Sequence, residues 1–125
     1  MKLTPVLVVE EIEKSLPFWV NRMGFAKTVE VPEGNRLGFV ILARDGVEVM
    51  LQTVESVRKD EPKFLPPAGS RTALFIEVED FGDVCKRLEG YPIAMAERKT
   101  FYGMVEIGVF EPNGNVVVFA ARVAA

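Results

Sequence analysis

Carboxylates, methionines and aromatics alternate along several short stretches of this chain, and no histidine accompanies them in its 125 residues. In 47–54, Glu48, Met50 and Gln52 fall on one side of an extended chain, with Val47, Val49 and Leu51 on the other. In 72–78, Phe75 and Glu77 share a side with Ala73, and in 104–110 Met104, Glu106 and Phe110 share one. Burial can raise a carboxyl into the range useful for proton transfer, so acid–base work by a glutamate stays open. A Ser-His-Asp arrangement is excluded, because Ser15, Ser56 and Ser70 have no imidazole to act as base, and Cys85 lacks one too. The single cysteine can form no internal disulfide and no thiolate zinc site; Asp83, Lys86 and Arg87 around it suggest a helix on which a lone thiol is simply buried. Asp45-Gly46 and Asn113-Gly114 are turn dipeptides, and no phosphate-loop or dinucleotide fingerprint occurs.

The length suits one domain with a real core, and 49% apolar residues argue against disorder. A net charge of −3 disfavours a nucleic-acid partner, which wants a basic face, but is compatible with a cationic ligand. No apolar run approaches the ~20 residues of a membrane span. The opening Met1-Lys2-Leu3-Thr4-Pro5 has no signal-peptide core, so a cytoplasmic protein without a membrane partner is expected.

The elements that must position these residues read as a repeat. Residues 3–9 are apolar and β-branched, a buried strand. Ile12, Leu16, Trp19 or Val20, and Met23 recur at helical spacing before Gly24, with Pro17 a weak point or kink. Strands follow at 25–31, 37–43 and 47–54, with a turn at 32–35 and a hairpin signal at Asp45-Gly46. The polar, proline-bearing stretch 56–70 reads as a linker or exposed loop. The second half repeats the pattern: a strand at 72–78, a helix capped by Asp80 through Leu88, and strands at 93–98, 104–110 and 115–121. The expected fold is α+β, one domain over 1–125 made of two tandem β-α-β-β-β modules at about 1–56 and 71–125, joined by a linker at 57–70.

Glu13-Lys14-Ser15-Leu16-Pro17-Phe18-Trp19 followed by Met23-Gly24-Phe25 resembles the opening of the vicinal oxygen chelate superfamily, which includes glyoxalases, extradiol dioxygenases and bleomycin-resistance proteins. Glu111-Pro112-Asn113-Gly114-Asn115 resembles its late Asp-Pro-x-Gly-Asn turn, and the two motifs stand at the correct separation around the repeat. Within the superfamily, Thr4-Pro5-Val6-Leu7 and the segment from Phe18 to Phe25 look most like the bleomycin-resistance type. That resemblance implies a curved mixed sheet with a concave groove. It also implies a homodimer with grooves at its interface, and an N-terminal arm exchanged at Pro5.

Metal-dependent members hold a divalent ion with His and Glu on inner strands. By alignment those positions fall here on Thr4, Met50, Ala73 and Val118, which are poor ligands for such a metal. The resemblance therefore implies no metal and no cofactor, and glyoxalase I or dioxygenase activity is not expected. The groove-facing candidates for a ligand are Phe39, Glu48, Met50, Gln52, Phe75, Glu77, Tyr102, Met104, Glu106 and Phe110. Of these, Phe39 and Tyr102 are placed near a rim, together with Arg36 and Phe101. Such a lining suits a flat organic compound whose cationic groups pair with glutamates. The same alternation is produced by a solvated sheet face, and Phe39 and Phe75 could equally be core. The leading expectation is a metal-independent small-molecule binding protein that sequesters an antibiotic or an aromatic, partly cationic compound. The alternative is an atypical superfamily enzyme with a Glu as general base.

Overall fold

The structure, a computed structural model, describes residues 1–123. These residues divide into two compact units, Met1–Ser70 and a second that begins at Arg71, each built on its own four-stranded sheet.

In the first unit the chain runs β1 (Val6–Val9), α1 (Ile12–Leu16), β2 (Ala26–Glu33), β3 (Arg36–Arg44), β4 (Val47–Thr53) and α2 (Val54–Asp60). The sheet order is β1-β4-β3-β2, with β1 parallel to β4 and the other pairs antiparallel. Asp45 and Gly46 both take positive φ, as the two-residue β3–β4 hairpin requires, and Gly46 accepts this without a Cβ penalty. One face of the sheet is core: Leu7 pairs with Leu51, Leu51 with Val40, and Val49 with Leu42, all buried. Against it pack Ile12, Phe18, Trp19, Met23 and Phe25, with Trp19 edge-on to both phenylalanines at 5.1 Å between centroids. The indole N–H of Trp19 finds no acceptor among the described residues, so its place there rests on apolar volume.

Three sequence expectations change here. The strand expected at 3–9 begins at Val6, although the Pro5 carbonyl already accepts a hydrogen bond from the Met50 N–H. The helix expected from Ile12 to Met23 is α-helical only to Leu16 and continues as a π-helix over Pro17–Arg22. Pro17 lacks the N–H that would continue the ladder and its ring crowds the preceding turn, so the coil widens, with Met23 N–H reaching back to Phe18. The stretch expected as a linker starts inside α2: the Thr53 hydroxyl caps it by accepting from Ser56 N–H, and Val57 is buried. Residues 61–70 are largely exposed, with a short 3₁₀ turn at Pro62–Phe64.

The second unit runs β5 (Ala73–Glu77), α3 (Phe81–Arg87), β6 (Ile93–Lys99), β7 (Met104–Phe110) and β8 (Val116–Arg122), in sheet order β5-β8-β7-β6. Asp80 caps α3 by accepting from Asp83 N–H, as the sequence predicts. Val84 and Leu88 bury one side of α3, and Val117, Phe119, Ala121 and Val109 form the buried side of the sheet. Glu111 is buried, and its carboxylate accepts from both the backbone N–H and the side-chain amide of Asn115. That gives the Glu-Pro-Asn-Gly-Asn motif its physical reason: the carboxylate locks the turn into β8. Cys85 is half-buried rather than buried, 3.7 Å from Glu97 Oε1, and partial burial together with that carboxylate pushes its thiol pKa up. No helix among the described residues is long and apolar enough to cross a membrane.

Candidate functional site

Each sheet has one face on its helices and one facing away from them, and strand pairing places the predicted site residues other than Tyr102 on the latter. In the first unit Phe39 pairs with Gln52, Ile41 with Met50 and Ala43 with Glu48, while Val6 and Val8 flank Met50 and Gln52 from β1. All of these are half-buried. The polar members are occupied: Lys2 Nζ lies 3.0 Å from Glu48 Oε1, the Thr4 hydroxyl approaches the same oxygen, and Gln52 Nε2 donates to Ser56 Oγ at 3.1 Å. What this face offers a ligand is therefore aliphatic surface plus Phe39.

In the second unit the open face is ordered in rows across the strands. Glu77, Ala120, Glu106 and Arg98 form one, Phe75, Val118, Gly108 and Met95 the next, and Ala73, Val116 and Phe110 a third. Glu106, expected to be an available groove carboxylate, is only 2% exposed and already engaged. Arg98 Nε and Nη2 donate to its Oε1 at 3.3 and 3.2 Å, and the Tyr102 hydroxyl donates to its Oε2 at 2.5 Å. Tyr102 is placed by the β6–β7 turn, where Thr100 Oγ1 accepts from Met104 N–H and Gly103 takes positive φ. Its hydrogen bond to Glu106, with partial shielding from water, holds the phenol pKa above the usual tyrosine value. A carboxylate neutralised by a guanidinium and a phenol kept protonated make a poor base pair but a fixed polar anchor for the hairpin.

Met104 is buried and does not present itself, whereas Phe75 (56% exposed) and Phe110 (40% exposed) stand clear of the sheet. Glu77 is exposed and makes no hydrogen bond or ion pair among the described residues. Arg98 and Gly108 escape the sequence reading. A lone glycine inside a strand was the available signal for a close approach of other groups, since a Cβ there would sit 3.2 Å from that of Met95. Arg98 gave no signal, because β6 carries register shifts that break simple alternation.

The positions that the resemblance assigns to the superfamily's metal ligands, Thr4, Met50, Ala73 and Val118, carry a hydroxyl, a thioether and alkyl groups. This donor set does not fit a hard or borderline divalent ion. Among the described residues, no three or more His, Cys, Asp or Glu gather as ligands would.

Paired βαβββ units with these open faces define a protein class, and the comparisons agree with it. Residues 3–119 match the Glyoxalase/Bleomycin resistance protein/Dioxygenase superfamily, and the chain belongs to that superfamily. TioX from Micromonospora sp. ML1 is similar in structure, with a TM-score of 0.78 at 17% identity, over 98% of this chain and 99% of that one. TnmS3, an antibiotic binding protein from Streptomyces sp. CB03234, is similar with a TM-score of 0.68 at 21% identity, over 95% of this chain and 93% of that one. Lactoylglutathione lyase from Agrobacterium tumefaciens is similar with a TM-score of 0.74 at 14% identity, over 97% of this chain and 92% of that one. At these identities the likeness speaks for the fold. No curated sequence matches the chain.

Proposed function

We propose that this chain is a metal-independent small-molecule binding protein of the bleomycin-resistance type, which sequesters an antibiotic or a related aromatic, partly cationic compound as a cytoplasmic homodimer. One observation carries the reading. The most buried carboxylate of the open faces, Glu106, is neutralised by Arg98 and Tyr102, and Phe75 and Phe110 stand exposed on the same face of its sheet. Such a surface binds by burial and stacking. The antibiotic-binding protein among its structural relatives supports the same class. The enzymatic alternative retains one unengaged carboxylate among the candidates, Glu77.

The test is a thermal-shift series on chelator-treated protein, with cationic glycopeptide and flat aromatic antibiotics in some wells and divalent metals in others. A ligand selective for the folded state stabilises it by ~2.7 kcal/mol at a hundredfold excess over Kd. A rise with an antibiotic and none with metals is the expected result. A rise with metals alone, or chelator-indifferent turnover of a small metabolite lost in Glu77→Gln, replaces this reading with an enzyme. Sedimentation at micromolar concentration checks the dimer, and Pro5→Ala is expected to weaken it if the N-terminal arm is exchanged.

A further inference from the structure

We propose that the first unit carries a separate site, a cleft between α1 and the β2–β3 turn that takes a free aliphatic α-amino acid. The ligand's ammonium meets Glu13 and its carboxylate meets Arg36. The site goes beyond the function proposed above, and Phe39, Met50 and the other open-face candidates take no part in it.

The cleft is built by local chemistry. Pro32 pairs with Leu37 and Glu33 with Arg36, and Gly34, at φ +65°, supplies the positive φ in the turn between them. Glu13 reaches this turn from α1, where its Oε2 accepts from the Leu37 N–H at 2.7 Å. Glu13, Pro32, Gly34, Asn35, Arg36 and Leu37 line a cleft of about 260 Å³. Pockets for drug-sized compounds hold ~300–1,000 Å³, so this one selects a smaller molecule.

Two opposite charges line the cleft without pairing with each other. The Glu13 carboxylate spends one oxygen on Leu37; the other, Oε1, is shielded from water and meets no donor among the described residues. A shielded acceptor without a donor carries a desolvation cost that a ligand N–H removes. The torsion that turns a glutamate carboxylate is soft, so Oε1 can swing to the cleft while Oε2 stays within reach of Leu37. The Arg36 guanidinium turns to Glu55 instead, through one exposed contact at 3.5 Å. A pair of that kind in water is worth little. Glu55 also holds Lys59 at 3.4 Å, so it keeps a partner when Arg36 turns away. A guanidinium released in this way grips a carboxylate through two parallel N–H donors. The Asn35 side chain makes no hydrogen bond among the described residues and adds a neutral donor beside Arg36.

Spacing sets the ligand. Glu13 is docked on the peptide N–H that directly follows Arg36, so both charges serve one short stretch of the cleft. The ligand's positive and negative groups must stand equally close, as an ammonium and a carboxylate on one Cα do. Pro32 and Leu37 offer aliphatic surface to its side chain. A dicarboxylate is repelled by Glu13, and a diamine by Arg36.

The experiment is a ligand-observed NMR titration of the full chain with three probes. They are L-leucine, 3-methylbutylamine, which lacks the carboxylate, and 4-methylpentanoate, which lacks the ammonium. L-Leucine is expected to bind about tenfold tighter than either analogue, since each analogue leaves one protein charge unmatched. Glu13→Gln should weaken L-leucine and the amine about five- to tenfold and leave 4-methylpentanoate unchanged or tighter. Arg36→Gln should weaken L-leucine and 4-methylpentanoate by a similar factor and leave the amine unchanged or tighter. Melting temperatures should stay near wild type, because Arg36 is exposed and glutamine fills the volume of Glu13 and can still accept from Leu37. If wild type does not bind L-leucine, the site is overturned. If L-leucine binds and both variants bind it as wild type does, it sits elsewhere and the site is overturned too. Should each variant weaken all three probes alike, Glu13 and Arg36 shape the cleft without reading charge, and the amino-acid assignment falls. The antibiotic thermal-shift series probes the open faces and is judged separately from every one of these outcomes.

Discussion

The two units share one topology and spend their side chains differently. Behind its sheet the first packs Ile12, Phe18, Trp19, Met23 and Phe25, and it adds α2 with the buried Val57. Among the described residues the second has just the short α3 with Val84, and Leu88 at its C-cap, behind its sheet. On the open faces the order reverses. The first unit's polar groups are tied to Lys2, Thr4 and Ser56, whereas the second presents Phe75, Phe110 and Glu77 to solvent. A duplicated fold lets one copy carry apolar burial while the other keeps exposed chemistry, because each sheet has two faces that need not be loaded equally.

The largest effect that could break this comparison lies in the heavier core. Trp19→Ala should cost about 3–5 kcal/mol in urea unfolding, since it empties a fully buried aromatic site; a loss near zero would mean that the first unit is not where stability resides. Next comes the engaged carboxylate. Arg98→Ala should cost about 1–3 kcal/mol, because it leaves the buried Glu106 with Tyr102 alone. Tyr102 gives a spectroscopic check on the same cluster: in Glu106→Gln its phenolate should appear at lower pH than in wild type. The sign for stability follows from the raised pKa. The folded state favours the protonated phenol, so this contribution is intact below the ordinary tyrosine pKa and is lost as pH rises through the elevated one.

Smaller effects compare the helix caps. Thr53→Ala and Asp80→Ala should each lower stability by about 1 kcal/mol, read from thermal melts. Thr53 should be the costlier loss, since its hydroxyl is buried while Asp80 is exposed. The smallest effect sharpens the contrast most: Phe75→Ala should change unfolding free energy by no more than about 0.5 kcal/mol. A large loss there would make Phe75 core, and the division between the two units would fail.

Much of this architecture is legible in the residues. The Asp45-Gly46 hairpin, the Asp80 cap and the strand at Met104–Phe110 follow from local chemistry, because turn geometry and capping are decided within a few residues. Helix α2 was missed, although Thr53 followed by Glu55, Val57 and Arg58 carried a capping and charge signal, because the prolines from Pro62 onward dominate the composition. The site was half legible. Alternation correctly put Glu48 with Met50 and Gln52, and Glu106 with Met104 and Phe110, on shared faces. It could not say which carboxylates were already engaged, since Lys2 reaches Glu48 and Arg98 reaches Glu106 across strands.

By itself, then, the sequence determined the β-α-β-β-β repeat, the superfamily, and a chain with no imidazole at any position. Those depend on period, turn chemistry and residue type, which are local. Only the tertiary structure decided that Glu106 is a buried anchor and Glu77 a free charge, and that Phe75 and Phe110 are exposed rather than core. Burial and charge pairing depend on what the neighbouring strand places alongside, and β-register brings together residues that the chain keeps far apart.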